Sequence, residues 1–338
     1  MFERFFSEWV RPRAGDIDRE LSSLQEAMRE MGRAGLLGAR IPAEFGGLDL
    51  DDVRFWEFQE AAARASGALA FLQAQHQSAS RFIARSRNGE LRRRLLPDLA
   101  SGKRTSGIAF SQLRRPGDPP LKAVRSAGGY ALQGRAPWVT GWGLFDLCVT
   151  AAVLPEGDSV WVVHTLAESH RLRASLPLRL AALEVTQTVS VHFEGLEVPE
   201  QDVLYTRAPD WILENDAINL ARQSPLILGC ARGAVDLVRA SRPAAADALE
   251  SELSRVRARA LEMMRRPEDK EGGLGARADA IELAGRCAMA AIVAASGAGN
   301  RMDHPAQRIY RETLAFAVLA LTTPIADAVL TKLFDHSG

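Results

Sequence analysis

The feature that most constrains this chain is a change in hydrophobic period, from helical spacing to strict alternation and back again. From residue 2 to about 101 the spacing is helical. Leu21, Leu24, Met28 and Met31 recur at three and four residues, and Gly32 and Gly35 end that run. Ile41-Pro42-Ala43-Glu44-Phe45-Gly46-Gly47 has turn chemistry, and helices are predicted over 51–65, 69–87 and 91–100. From about 105 to 206 the period becomes two. Tyr130 and Leu132 alternate after a hairpin signal at Gly128-Gly129, and Val189, Val191 and Phe193 alternate with Ser190 and His192. Two further β-rich runs, 147–153 and 160–165, flank Pro155-Glu156-Gly157-Asp158, and Pro199 is expected to close the zone. Helical spacing returns from Pro209 with Leu253, Val256, Ala260, Leu261 and Met264 on one face. A charged loop is expected over 267–275, an alanine-rich helix over 277–296 and another helix over 308–322, with a kink at Pro324. The expected architecture is α+β and multidomain. It comprises an N-terminal helical domain (1–104), a central antiparallel β sandwich or barrel (105–207) and a C-terminal helical bundle (208–338).

Charge narrows the function classes. The 338 residues hold 42 basic and 42 acidic side chains, and this balance argues against a dominant nucleic-acid footprint. Cys148, Cys230 and Cys287 are odd in number and lack Cys-x-x-Cys spacing, so buried free thiols in a reducing compartment are expected. No stretch reads as long and apolar enough to span a membrane, and the first 13 residues lack the basic-then-apolar order of a signal peptide. The expected location is cytoplasmic.

The stretch richest in chemistry is Ala136-Pro137-Trp138-Val139-Thr140-Gly141. In an extended segment the Trp138 indole and the Thr140 hydroxyl point to the same face. A flat aromatic surface beside a small hydrogen-bonding group suits a planar redox cofactor. The alternative is a core tryptophan beside a turn threonine.

These pieces, in this order, resemble the acyl-CoA dehydrogenase superfamily, including its flavin-monooxygenase branch. Ile41–Leu48 resembles that family's Pro-Glu-Tyr-Gly-Gly loop, and Leu96-Pro97-Asp98-Leu99-Ala100-Ser101-Gly102 its lead into the β domain. Residues 134–140 resemble the Gly-x-Lys-x-Trp-Ile-Thr segment, 189–204 the segment closing the β domain, and Arg308-Ile309-Tyr310-Arg311 the Glu-Arg-x-Tyr-Arg-Asp helix. The resemblance implies FAD between the β domain and the C-terminal helices. Trp138 would flank its ring system and Thr140 would hydrogen-bond near its reactive nitrogen. Phe110 and Ser111 stand where the family's aliphatic-threonine pair meets the ring. The alternative for Ser111 is a strand-end serine capping its own backbone. Thr322 matches the threonine of the family's Glu-Gly-Thr.

The chain also departs from the family pattern. Gln112-Leu113-Arg114-Arg115-Pro116-Gly117-Asp118 replaces a small-residue loop, and its arginines either meet a pyrophosphate or form a solvated basic loop. The family's Arg-x-x-x-Phe element is absent after residue 240. Its Gln-x-x-Gly-Gly-x-Gly segment is reduced to Ser296-Gly297-Ala298-Gly299, with the glutamine position near Val293. Both family positions for the glutamate that takes the substrate α-proton hold alanine, Ala320 and Ala221. Glu214, Asp216, Glu312 and His304 are the substitutes weighed, against ordinary helix charges and a surface histidine.

Three functions fit. The first is an acyl-CoA dehydrogenase-like FAD oxidoreductase without the usual glutamate, acting on an acyl-CoA or other small organic substrate. The second is a flavin-dependent monooxygenase, which needs no α-proton base. The third is a non-catalytic partner subunit or binding module on the same fold. The resemblance also implies a homodimer or homotetramer, with a hetero-partner as the alternative, and neither nucleic acid nor membrane as a partner. Trp56, Phe71, Phe82 and Trp142 read equally as core or as pocket.

Overall fold

The computed structural model describes residues 2–334. Its first part is helical: Phe2–Arg4 (α1), Ala14–Arg19 (α2), Leu21–Arg33 (α3), Asp52–Ala65 (α4), Gly67–Ala84 (α5) and Gly89–Ser101 (α6). Local chemistry sets the ends of these helices. Gly35 takes φ 71° just past α3, and Gly102 takes φ 72° to end α6. The Asp51 side chain accepts from the Arg54 N–H at 2.8 Å to cap α4, and Asn88 accepts from the Leu91 N–H at 3.0 Å to cap α6. Helix α5 starts two residues earlier than the spacing predicts, because Ser66 caps it through the Leu69 N–H.

The central strands are Ser106–Ala109 (β1), Leu121–Ser126 (β2), Gly129–Val139 (β3), Leu147–Val153 (β4), Ser159–Thr165 (β5), Leu172–Ala174 (β6), Val189–Pro199 (β7) and Val203–Arg207 (β8). They form one sheet in the order β6-β7-β3-β2-β4-β5-β8, with β1 also on β4. Most neighbouring strands pair antiparallel, as expected, and β1 and β2 in addition run parallel to β4. A meander would place β3 beside β4. Instead β3 lies between β2 and β7, and the turn after Val139 carries the chain across to β4. The β2–β3 hairpin turns on Ala127-Gly128, one residue before the predicted dipeptide, since Gly129 already pairs with Ser126. Pro199 ends β7 but not the zone, because β8 comes next and pairs with β5.

The C-terminal helices are Trp211–Ile218 (α7), Ser224–Ser241 (α8), Pro243–Arg265 (α9), Lys270–Ala295 (α10), Pro305–Ala317 (α11) and Thr323–Phe334 (α12). Most of the predicted 267–275 loop is helical. The Asp269 carboxylate accepts from the Gly272 N–H at 2.8 Å and caps α10 there. The predicted 308–322 helix stops at Ala317. Ala320 takes φ 52°, and Pro324 stands in the first turn of α12, where its missing N–H costs nothing, so it starts a helix rather than kinking one. The membrane expectation also needs correction, because Lys270–Asn300 is long and apolar enough to cross a membrane by length and composition. Its alanines explain this. Ala276, Ala280, Ala284 and Ala291 are buried, and α10 packs among α8, α9, α11 and α12.

One hydrophobic core runs through the N-terminal helices, the sheet and the C-terminal helices. A second lies between α5, α6 and the β4–β5 face, around Trp161. Helix α8 meets α4 closely because Gly229 carries no side chain; a Cβ there would collide with the Glu60 carbonyl oxygen. Cys148, Cys230 and Cys287 are buried and free, as expected.

Candidate functional site

Phe110, Ser111, Trp138 and Thr140 line one cavity of about 740 Å³ between the sheet and the helices. Trp138 and Thr140 share that wall, in keeping with their period-two spacing. The β3–β7 register slips between Ala136 and Val139, next to Pro137, which has no N–H to give the ladder. Gly141, at φ 88°, then turns the chain, and a Cβ there would run into the Phe145 ring. The Thr140 hydroxyl is 3.0 Å from that of Thr188, which also lines the cavity. Trp138 is 49% exposed, so its indole is not core filling. Phe110 packs edge-on against Phe82 and at 5.1 Å against Trp161. The Ser111 hydroxyl does not cap its own backbone: its Oγ is buried with no hydrogen-bond partner. Such an orphan costs about 1–3 kcal/mol unless a ligand satisfies it.

The opposite wall is helical. Phe55, Trp56 and Gln59 of α4, Phe71 of α5, and Leu319, Ala320 and Leu321 of the α11–α12 connection contribute to it. The Trp56 Nε1–H is a second buried orphan. Ala320 is on the wall; Ala221 is buried and does not line the cavity, and Thr322 is likewise outside its lining. Of the other aromatics weighed, Phe82 and Trp142 lie outside the lining as well.

None of the weighed substitutes presents a carboxylate or imidazole to this space. Glu214 is exposed on α7. Asp216 is held bidentate by Arg114 at 2.6 and 2.7 Å. Glu312 is fully buried, paired with Arg308 at 2.8 Å, and accepts from the Gly67 N–H at 2.9 Å. The His304 Nδ1 accepts from the Ala306 N–H at 3.2 Å and caps α11. Arg114 and Arg115 do reach the cavity, although Asp216 already neutralises Arg114. Val293 is exposed on α10.

The residues that sequence reasoning missed are Asp52, Arg81 and Thr188. Asp52 is the one carboxylate among the cavity-lining residues. It pairs with Arg222 at 2.6 Å and Arg40 at 2.9 Å. Burial works to raise its pKa, but these guanidiniums overcome it and hold the carboxyl below its ordinary range. The available signal was the Asp51-Asp52 pair: one aspartate caps the helix, and the second is then free for another task.

Residues 1–103 match the family described as acyl-CoA dehydrogenase, N-terminal domain. An acyl-CoA dehydrogenase of Bacillus subtilis is 23% identical over 364 residues, which cover 98% of this chain and 95% of that one. This chain belongs to the acyl-CoA dehydrogenase superfamily. A mitochondrial isovaleryl-CoA dehydrogenase of Solanum tuberosum is 30% identical over 210 residues, 60% of this chain and 51% of the relative. The match thus spans about half the length of the isovaleryl-CoA dehydrogenases. A solved glutaryl-CoA dehydrogenase in complex with glutaryl-CoA superposes with TM-score 0.84 at 18% identity, covering 98% of this chain and 93% of that one. At that identity the superposition speaks for the fold. Acyl-CoA dehydrogenases are FAD-dependent oxidoreductases, and the cavity lies between the sheet and the helices that make up this superfamily fold.

Proposed function

We propose that this acyl-CoA dehydrogenase-type protein binds FAD in the cavity and acts as an oxidoreductase on an acyl-CoA or similar small acyl substrate, without the usual glutamate base. One observation carries the reading: an exposed indole, a phenyl ring and two hydroxyls converge on one cavity, and the buried Ser111 Oγ has no protein partner. Trp138 and Phe110 would hold the flat face of the ring system, while Ser111 and Thr140 would address its polar edge. FAD, when bound, supplies a two-electron acceptor. Thr322, the remaining residue suggested by the family resemblance, would contribute only through the chain that sets Ala320.

The helical wall limits the chemistry. Removing an α-proton calls for a base whose pKa lies near the working pH. Ala320 and Ala221 offer none, and Asp52 is held ionised by its arginines. Acyl-CoA dehydrogenation is therefore slow or absent in the protein as it stands. The same observation favours a second reading, flavin-dependent oxygenation of a bound substrate, which needs no such base. Exposed Met289 and Val293, four residues apart on one face of α10, support self-association, and we place the protein in the cytoplasm.

The test is flavin content. Purified protein is expected to be yellow, or to become so with added FAD, near one flavin per chain. Trp138→Ala should weaken that uptake. Saturated acyl-CoAs should bleach the flavin little under anaerobic conditions. Oxygen consumption with a reduced nicotinamide and product analysis then separate oxygenation from dehydrogenation. A colourless protein that takes up no FAD sinks both readings and leaves the binding-module alternative.

A further inference from the structure

The α4–α5 end of the cavity carries more positive charge than its one carboxylate offsets. Asp52 spends Oδ2 on Arg222 at 2.6 Å and Oδ1 on Arg40 at 2.9 Å. Arg40 is fully engaged, because it also donates to the Leu50 carbonyl at 2.7 Å and lies over the Phe55 ring. Arg81 is left over. Its Nη2 stands 3.9 Å from the shared Oδ1, beyond hydrogen-bonding distance, and its Nε is buried with no partner. Arg81 lines the cavity, as do Ser78 and Gln75, three and six residues earlier on the same α5 face. The excess is felt at the group itself: burial, with Arg40 and Arg85 adding to it, pushes the Arg81 guanidinium down to about 9.

A guanidinium with an unmet buried donor and surplus like charge around it is a site prepared for anionic oxygen. We propose that Arg81, with Arg222, Ser78 and Gln75, forms an anion subsite in the cavity. It takes an anionic oxygen group of the bound ligand, either a carboxylate on the acyl chain or a phosphate of a nucleotide moiety. The proposal rests on the cavity being the ligand site, as in the proposed function, but not on any redox step.

The experiment is calorimetric titration of the full chain with hexanoyl-CoA, adipyl-CoA, CoA and FAD, repeated on Arg81→Gln and Arg81→Lys. Melting temperatures confirm that each variant is folded. The two acyl-CoAs have the same chain length and differ at the far end, where adipyl-CoA carries a carboxylate. If the anion is that carboxylate, the wild type prefers adipyl-CoA by about tenfold or more, the size of a charge-assisted hydrogen bond. Arg81→Gln then abolishes the preference and Arg81→Lys keeps part of it. If the anion is a phosphate, Arg81→Gln weakens CoA and both acyl-CoAs equally, or weakens FAD alone, which identifies whose phosphate it is. Unchanged affinities for all four ligands in a folded Arg81→Gln protein overturn the subsite. FAD uptake by the wild type is scored separately. A protein that ignores FAD yet discriminates between the acyl-CoAs keeps this inference and loses the flavin reading, and the opposite pattern does the reverse.

Discussion

The two walls of the cavity are built differently. The sheet wall presents Trp138, Thr140 and Ser111 from a strand end, its turn and the turn after β1. All three lie within hydrogen-bonded backbone or beside it, so their positions are set by the ladder. The helical wall is set by side-chain packing and by a break between α11 and α12, where Ala320 takes a left-handed conformation. On the proposed reading the sheet wall is the one that would hold the flat cofactor. The helical wall has alanine at residue 320 and, in that proposed function, offers no base to take a proton, while it carries arginines that a simple fatty acyl chain has no use for. If the proposed function holds, holding an electron acceptor and taking up a proton fall to different elements and are separable tasks.

The strongest way to break this contrast is to restore the base. Ala320→Glu puts a carboxylate on the cavity wall without new backbone strain, because alanine already carries a Cβ in this left-handed conformation. Anaerobic flavin reduction by a saturated acyl-CoA should then rise by about 10²- to 10⁴-fold, the usual worth of a positioned base. Ala221→Glu should do much less, because Ala221 is buried and lies off the wall. Dithionite reduction of both variants serves as the control. Equal, small responses in stopped-flow bleaching mean that Ala320 does not face the reacting carbon.

A second prediction concerns what holds the helical wall in place. Glu312 on α11 binds Arg308 at 2.8 and 2.9 Å and receives the Gly67 N–H at the start of α5. Both charges are buried. Glu312→Ala leaves the Arg308 guanidinium without this partner and Gly67 N–H without an acceptor, and should cost about 3–5 kcal/mol in urea unfolding. A loss under about 1 kcal/mol, the scale of an exposed ion pair, means that water reaches Arg308 and that the α5–α11 contact is looser than its geometry implies.

Much of the sheet wall was legible from sequence, because its signals are local. Alternation, the Pro137 interruption and the Gly141 turn are all written within a few residues of Trp138 and Thr140. The sheet topology was not legible. Nothing between residues 105 and 126 announces that β1 and β2 both lie parallel to β4, since a parallel partner is fixed by where the chain goes later. The helical wall hid its chemistry for a similar reason. Asp52, Arg40, Arg81 and Arg222 meet from four separate places, and each alone reads as an ordinary surface charge. Glu312 reads the same way, and only its placement against Gly67 shows that it is structural.

The pH dependence of stability sharpens the comparison, since each side holds one buried histidine. His76 on α5 accepts the Ser106 N–H at 3.3 Å where α5 meets β1. His164 on β5 pairs with the Thr150 hydroxyl and the Thr165 carbonyl at 2.8 Å each. Burial pushes both imidazoles down to about 4. In the unfolded chain they take up protons near pH 6.5, whereas the folded protein refuses them until about pH 4. Stability therefore falls as pH drops through this window. Near pH 5 the two histidines together give a slope of about 2.4 kcal/mol per pH unit. Urea midpoints at pH 7, 6 and 5 measure it. Replacing either histidine with glutamine should halve the slope; a slope corresponding to fewer than one proton in the wild type means that one imidazole is hydrated in the folded state.

The smallest expected effect is the most discriminating for the sheet wall, because two measurements should move in opposite directions. In the ligand-free protein the Ser111 Oγ is buried without a partner, so Ser111→Ala removes an uncompensated polar atom and should stabilise the fold by up to about 1 kcal/mol. If that hydroxyl meets the cofactor's polar edge, the same change removes one hydrogen bond and weakens FAD by about three- to tenfold. A purely structural serine would move stability and affinity together or leave affinity unchanged. Thermal melts without FAD and titrations with it, made on one preparation, separate these cases. Thr140→Val provides the contrast: Thr140 already has Thr188 at 3.0 Å, so its loss should destabilise the free protein by about 1 kcal/mol as well as weaken FAD.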